Sequence, residues 1–422
     1  MNTSVTSAKW IGRAALLFGT LFCSINQAEN WPRFRGANGS GISSSTQIPS
    51  EWTPGDYQWV ADLPGVGNSS PVIWEDRLFV TAADATASKR WLICFDKADG
   101  AERWRAEAAF SQYKKHKNNS FASSTPAVDD RHVYQLWHSK ERTSLIAYDH
   151  DGNEVWRYEL GPYLHGQGGG TSPIVVGELV VVAHDHKMDS YLVAVDRMSG
   201  KPQWKIPRLG KRACYSTPCV RPTSDGKQEL VFVHCFEGVI GVDSATGKQN
   251  WHYDPFGRDP QRALASPILA GNRIIAGSGA VGGARQLVAL SITNDSATPK
   301  VTEDYRLIRQ SPHVPTPLAL GNRLFLWNDG GIATCCDAET GKVVWQKRVG
   351  GSYCASPIVI GKRLFSINVS GEVVVIAAED VFRVIARNPM GQGSRASLAA
   401  SDDVLYVRTN SKVFAIGKKG KS

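Results

Sequence analysis

The sequence predicts an all-β fold, an eight-bladed β-propeller, and three observations predict it. Aspartate, glycine and tryptophan recur at fixed spacing five times along the chain. A small residue followed by proline opens an apolar run seven times, in phase with that motif. The 422 residues include 40 Gly, 21 Pro and 13 Trp, so the chain is cut into many short elements that share one bulky packing residue. A period of 40–55 residues with short apolar runs and turns between them is a propeller blade. The 42% apolar and 21% charged content excludes a disordered chain. Four Met and few long Leu/Ala/Glu/Lys runs argue against a helical bundle.

Residues 1–28 read as a secretory signal. Lys9 and Arg13 precede the apolar stretch Ala14 to Cys23, and Asn26 and Ala28 offer a small-residue cleavage site before Glu29. Ten apolar residues are too few to span a bilayer. The expected location is exported, periplasmic or extracellular, without a transmembrane segment in the mature chain. Of the eight Cys, seven lie beyond the leader, too few for a disulfide-stapled fold.

Residues 29–56, rich in Gly, Ser and Asn, are expected to strap onto the ring. Residues 57–418 form the propeller. Each blade begins at a small-residue–Pro step: Pro71, Pro126, Pro173, Pro218, Pro267, Pro317 and Pro357, with an eighth copy at Ser397-Leu398 that has lost the proline. The third strand ends in Asp96, Asp149, Asp196, Asp243 or Asp337. Four residues after each Asp (three at Asp149) stands a Gly, and four after that Trp104, Trp156, Trp204, Trp251 or Trp345. The Asp side chain can bond turn amides, and Gly supplies positive φ. Trp on the fourth strand can cover the turn and pack between blades. In the degenerate fifth blade Tyr305 stands near the Trp position. The eighth repeat ends before a fourth strand. Tyr57 to Leu63 is strand-like, and Trp59 fits the vacant position. The N-terminal strand is therefore expected to close the last blade, removing both open sheet edges.

The pattern apolar–apolar–Asp–x–x–x–Gly–x–x–x–Trp resembles the blade motif of the pyrroloquinoline-quinone (PQQ) repeat propellers, over nearly all of residues 57–418. WPRFRG-NG-G at the start is similar to secreted bacterial members, and the eight-blade count resembles the BamB type. The family holds both quinone-dependent dehydrogenases and propellers that only bind partners, so the resemblance leaves function open. No cofactor constellation can be placed on positions here, and no Cys-x-x-Cys-His for haem occurs. The expectation is a non-catalytic binding or scaffolding propeller, acting in cell-envelope or outer-membrane protein assembly as the BamB resemblance implies. No catalytic residue, metal or cofactor is expected. The alternative is a PQQ- and calcium-dependent dehydrogenase of alcohols or sugars.

Other motifs read as structure. Gly277, Gly279 and Gly282 match GxGxxG, but a strand follows where a dinucleotide site needs a helix. Cys335-Cys336 precede a motif Asp and read as a buried pair. His184, Asp185, His186 and Asp189 read as a solvated turn, with a metal site as the alternative.

Charge carries the functional expectation. The formal net charge is +9, or +7 without Lys9 and Arg13. In a propeller the links from each outer strand to the next blade's inner strand share one face. They hold Lys114, Lys115, Lys117, Arg208, Lys211, Arg212, Arg258, Arg262, Arg309 and Arg395, against Asp259 alone. His165 and His313 lie in the same links. This basic channel mouth is expected to bind a protein or another anionic partner, not nucleic acid, because stacking aromatics are not interleaved.

Overall fold

Every small-residue–Pro step marks the entry to a sheet. In the computed structural model, strands begin one to two residues after these steps, at Val72, Ala127, Ile174, Cys219, Ile268, Leu318, Ile358 and Ala399. The structure describes residues 1–2, 28–257, 262–279, 285–293 and 299–418. Arg258, Asp259, Gly282 and most of the leader lie outside them.

Eight four-stranded antiparallel sheets follow one another. Blade 1 comprises Val72–Trp74, Arg77–Asp84, Lys89–Asp96 and Glu102–Ala109. Blades 2 to 7 span 127–161, 174–208, 219–253, 268–307, 318–348 and 358–389. First strands touch between blades 1 and 2, 2 and 3, 4 and 5, and 5 and 6, and that of blade 8 touches that of blade 1, so the sheets close into a ring. The middle strands are packed between neighbouring blades and are buried on both faces, which is why they read as unbroken apolar runs. The outer strand Glu102–Ala109 alternates between exposed and part-buried residues. Among the described residues no helix is long and apolar enough to cross a membrane.

The expected closure is present. Ala399–Ser401, Val404–Arg408 and Lys412–Ile416 form blade 8 with Tyr57–Asp62 as its outer strand, and Trp59 is paired with Ala415.

Two belts fasten blade to blade. The outer belt is the aromatic residue of the fourth strand in every blade but the seventh, where Ala386 of Val384–Pro389 stands at that position. Trp59, Trp104, Trp156 and Trp204 donate their indole N–H to the carbonyls of Lys97, His150, Arg197 and Ser244 on the next blade, at 2.8–2.9 Å. The Tyr305 hydroxyl does the same to Ala338, and Trp345 to Glu379. Each ring from Trp59 to Trp204 lies on the next blade's motif glycine, where an added Cβ would sit 2.5–2.7 Å from the indole. On its own blade each aromatic ring is paired with a small residue: Cys94, Ala147, Ala194, Gly241, Ala289 or Cys335. Trp251 departs from the rule and donates to Glu229 instead.

The inner belt is a run of hydroxyls. The backbone N–H of Ser70 donates to Thr125 Oγ1, that of Thr125 to Ser172, Thr217 to Ser266, Ser266 to Thr316, Thr316 to Ser356, and Ser356 to Ser397, at 2.8–3.0 Å. A short hydroxyl before proline thus satisfies an amide that no strand reaches. Between blades 8 and 1, Arg408 donates to Ser69 instead.

Residues 29–56 engage both the ring interior and its rim. Trp31 bridges Ile73 of blade 1, and the Val128 N–H of blade 2 donates to Pro32. Arg33 donates to Pro218 and Asn38 bonds Val220 of blade 4. Arg35 then donates to Pro357, and Ile42–Ser43 adds a parallel strand to blade 7. The chain therefore crosses the axis.

Candidate functional site

The strand direction decides which loops meet. An inner strand begins on one face of the ring, so the link leading into it lies there. Two strands later the loop between second and third strands returns to the same face. These two loop classes surround a cavity of about 920 Å³ on the axis. Seven of the eight inner-belt residues line it: Ser70, Thr125, Ser172, Thr217, Thr316, Ser356 and Ser397. Phe34, from the crossing segment, also lines it.

Five of the expected residues converge on this cavity: Lys117, Arg212, Arg262, His313 and Arg395. Lys115 lies beside it, in an adjoining groove that shares Lys117 and Arg395. Lys114, Lys211 and Arg309 are exposed and do not line the cavity, nor does part-buried His165. Burial, then Arg262, Lys187 and Arg212, push His165 down to about 4, so it is neutral at pH 7. Arg258 lies outside the described residues. Arg208 is turned away from solvent: its side chain is 2% exposed and sits 3.0 Å from Glu237 and 3.4 Å from Asp185. Counting one loop class hid these carboxylates, which the second class supplies. The same omission hid Arg285 and Asp329, which line the cavity from second-to-third-strand loops. Strand alternation alone would have found them.

The cavity's electrostatics are one-sided. Lys117, Arg212, Arg262 and Arg395 form no ion pair among the described residues. Asp329 is the single carboxylate among the described residues of the lining, and it is occupied. It accepts from Arg285 at 3.3 Å and from the backbone N–H groups of His313 and Val314 at 2.8 and 3.1 Å. Burial lowers His313 below the usual imidazole range. Arg35 and Arg408, fully buried, bond carbonyl and hydroxyl oxygens rather than carboxylates, and burial lowers each to about 9. Cations gathered in a concave low-dielectric site attract anions.

The described lining offers calcium little carboxylate. Calcium takes six to eight oxygens, usually with carboxylates among them. Here the one carboxylate is already held by three donors.

One sequence reading needs adjusting, and the buried reading of Cys335-Cys336 holds. His184, Asp185 and His186 do sit at the loop between second and third strands, but they are buried, not solvated. His184 and His186 pack 4.5 Å apart and both meet Tyr163, while Asp185 approaches Arg208. Cys335 and Cys336 are fully buried on opposite faces of one strand, and burial raises their thiols to about 12 and about 11. Cys335 is the small residue opposite Trp345.

Fold and repeats together define a β-propeller of PQQ-like repeats. The family model described as outer membrane protein assembly factor BamB matches residues 50–213, 88–316 and 306–422, and the chain belongs to that family. BamB from Moraxella catarrhalis superposes with a TM-score of 0.61 at 14% identity, over 90% of this chain and 99% of that one. Quinohemoprotein alcohol dehydrogenase from Comamonas testosteroni gives 0.66 at 12% identity, over 93% and 81%. Both likenesses concern the fold. A polyvinylalcohol dehydrogenase from Pseudomonas sp. is 23% identical over 234 residues, 46% of this chain, and the match takes in 35% of that enzyme's length.

Proposed function

We propose that the protein is an exported, non-catalytic binding propeller whose axial cavity takes an acidic segment of a partner protein in cell-envelope assembly. One observation supports this most: four cations with no ion pair among the described residues, around a cavity whose one carboxylate among those residues is already bonded. The family relationship to an outer-membrane assembly factor supports the partner class. A cavity of about 920 Å³ suits a few side chains or a chain terminus rather than a folded domain. Binding by a focused field is steep in salt.

The test is fluorescence anisotropy of a labelled acidic peptide, with a neutral peptide of equal length as control. The acidic peptide is expected to bind, to weaken as salt rises, and to be lost in the double variant Arg262→Glu/Arg395→Glu. Equal binding of both peptides, or no response to the double variant, would remove the reading.

The second reading is a quinone-dependent dehydrogenase, favoured by the likeness to the Comamonas and Pseudomonas enzymes. Calorimetric titration with PQQ, with and without calcium, and an alcohol panel with an artificial electron acceptor decide it. Calcium-dependent binding with turnover would establish this reading in place of the first.

A further inference from the structure

Cys214, His234 and Cys235 meet inside the rim of blade 4. Cys214 ends the link that carries Arg212. His234 ends the strand Gln228–His234, and Cys235 begins the loop after it. Their exposures are 1%, 0% and 0%. The two sulfurs are 3.2 Å apart, and a ring nitrogen of His234 lies within 4.8 Å of both. The Nδ1 side of His234 is taken: the Phe236 N–H approaches at 3.3 Å and the Glu237 carboxylate at 3.6 Å. Nε2 is buried and has no hydrogen-bond partner among the described residues. Leaving such a group unpaired costs about 1–3 kcal/mol.

We propose that Cys214, Cys235 and His234 bind one thiophilic divalent cation, of the zinc class, in a closed structural site. The ligand types fit: two thiolates neutralise a divalent ion, and a neutral imidazole completes three of the four tetrahedral positions. A ligating Nε2 puts the ring proton on Nδ1, so on metal entry Nδ1 would turn from the Phe236 N–H it accepts here to the Glu237 carboxylate 3.6 Å away.

Distances separate this site from a disulfide. Metal–sulfur bonds of about 2.3 Å at tetrahedral angles put sulfurs roughly 3.8 Å apart, about half an ångström more than here. A disulfide at about 2.05 Å needs them to close by more than 1 Å. It also leaves the imidazole unpartnered. Metal entry displaces the thiol protons to solvent. The ion would tie the Arg212–Tyr215 link to the 235–237 loop, and both Arg212 and Tyr215 line the axial cavity.

The test uses the mature chain, purified reduced and metal-free, and titrated with Co²⁺. One equivalent is expected to give sulfur-to-cobalt charge-transfer absorption with tetrahedral visible bands, and Zn²⁺ to bleach them. Cys235→Ser and His234→Ala should each weaken binding at least tenfold, and Cys336→Ser should not. If these variants fail to fold, a rise in Tm with Zn²⁺, reversed by chelator, is the expected second readout in the unaltered protein. Absence of the sulfur band and of that rise would overturn the proposal. So would two thiols lost to a bond between Cys214 and Cys235 in protein purified without reductant that does not reopen to Co²⁺ after reduction.

Discussion

The indole of Trp59 donates to the backbone carbonyl of Lys97 at 2.9 Å and lies against Gly100, so the first strand of the propeller fastens blade 8 to blade 1. The same geometry joins blades 1 to 2, 2 to 3 and 3 to 4 through Trp104, Trp156 and Trp204. At Trp59 the contact does more, because its strand is also the one that completes a blade. Trp59→Ala should destabilise by about 3–5 kcal/mol, the usual range for deleting a buried tryptophan. Gly100 has φ +75° and an added Cβ would lie 2.5 Å from the Trp59 ring, so Gly100→Ala should cost roughly 1–3 kcal/mol by strain alone. Urea unfolding of the two variants and of their double mutant checks this. Because both act on one contact, their effects should not add.

The inner belt predicts a different response. Thr125 Oγ1 accepts from the Ser70 N–H, and both residues are buried. Thr125→Val keeps the shape and removes the acceptor, leaving that amide unpaired at a cost of about 1–3 kcal/mol. Thr125→Ser keeps the oxygen and should cost less. Denaturant midpoints of the pair give the answer. A larger loss in the serine variant would show that the methyl group, not the hydroxyl, holds the seam.

The repeat made the ring legible because its marks are local. Ser/Thr-Pro, Asp-x-x-x-Gly and Trp each report a contact that several blades repeat, and Trp59 could be assigned because a vacancy in a repeat is itself information. The site was legible only in part. Lys117, Arg212, Arg262, His313 and Arg395 were found by assigning links to one face. Asp329 and Arg285 were not, since the second loop class on that face went uncounted. Phe34 was out of reach: nothing in residues 29–56 states that they cross the axis. Exposure was the other gap. His184 and His186 look like turn residues, yet burial is set by Tyr163 and by the neighbouring blade.

Buried neutral histidines give a pH dependence. Burial, then His184, Arg90 and His186, lower His138 to about 3, and burial, then His186, lowers His184 to about 3. Below the unfolded value near 6.5 the unfolded chain takes up protons that the folded one refuses. Stability is therefore retained above pH 6.5 and falls as pH drops from there toward 3. Asp185 works against this. Burial raises it to about 6, so its own contribution is present below about 4 and is lost as pH rises through 6. Its shift is smaller than either histidine's, so the histidines set the sign between pH 4 and 6. Urea midpoints from pH 7.5 to 4.5 should fall, and His184→Phe should flatten the fall. A midpoint that rises on acidification would contradict the assignment.

Arg208 ends the strand Pro202–Arg208 and Arg212 stands four residues on in the link that follows, and a count of charges does not distinguish them. Their surroundings separate them. Arg208 is buried against Glu237 and Asp185, so Arg208→Ala leaves carboxylates without their cation and should cost about 3–5 kcal/mol. Arg212 is part-exposed at the cavity and has no ion pair among the described residues. Arg212→Ala should change stability by no more than about 0.5 kcal/mol, as surface substitutions usually do. Binding should divide the other way. Acidic-peptide affinity should drop in Arg212→Ala and hold in Arg208→Ala at temperatures where that variant remains folded. Thermal melts and anisotropy on the same two preparations make the comparison. A binding loss confined to Arg208→Ala would move the anion site off the axis and onto the rim of blades 3 and 4.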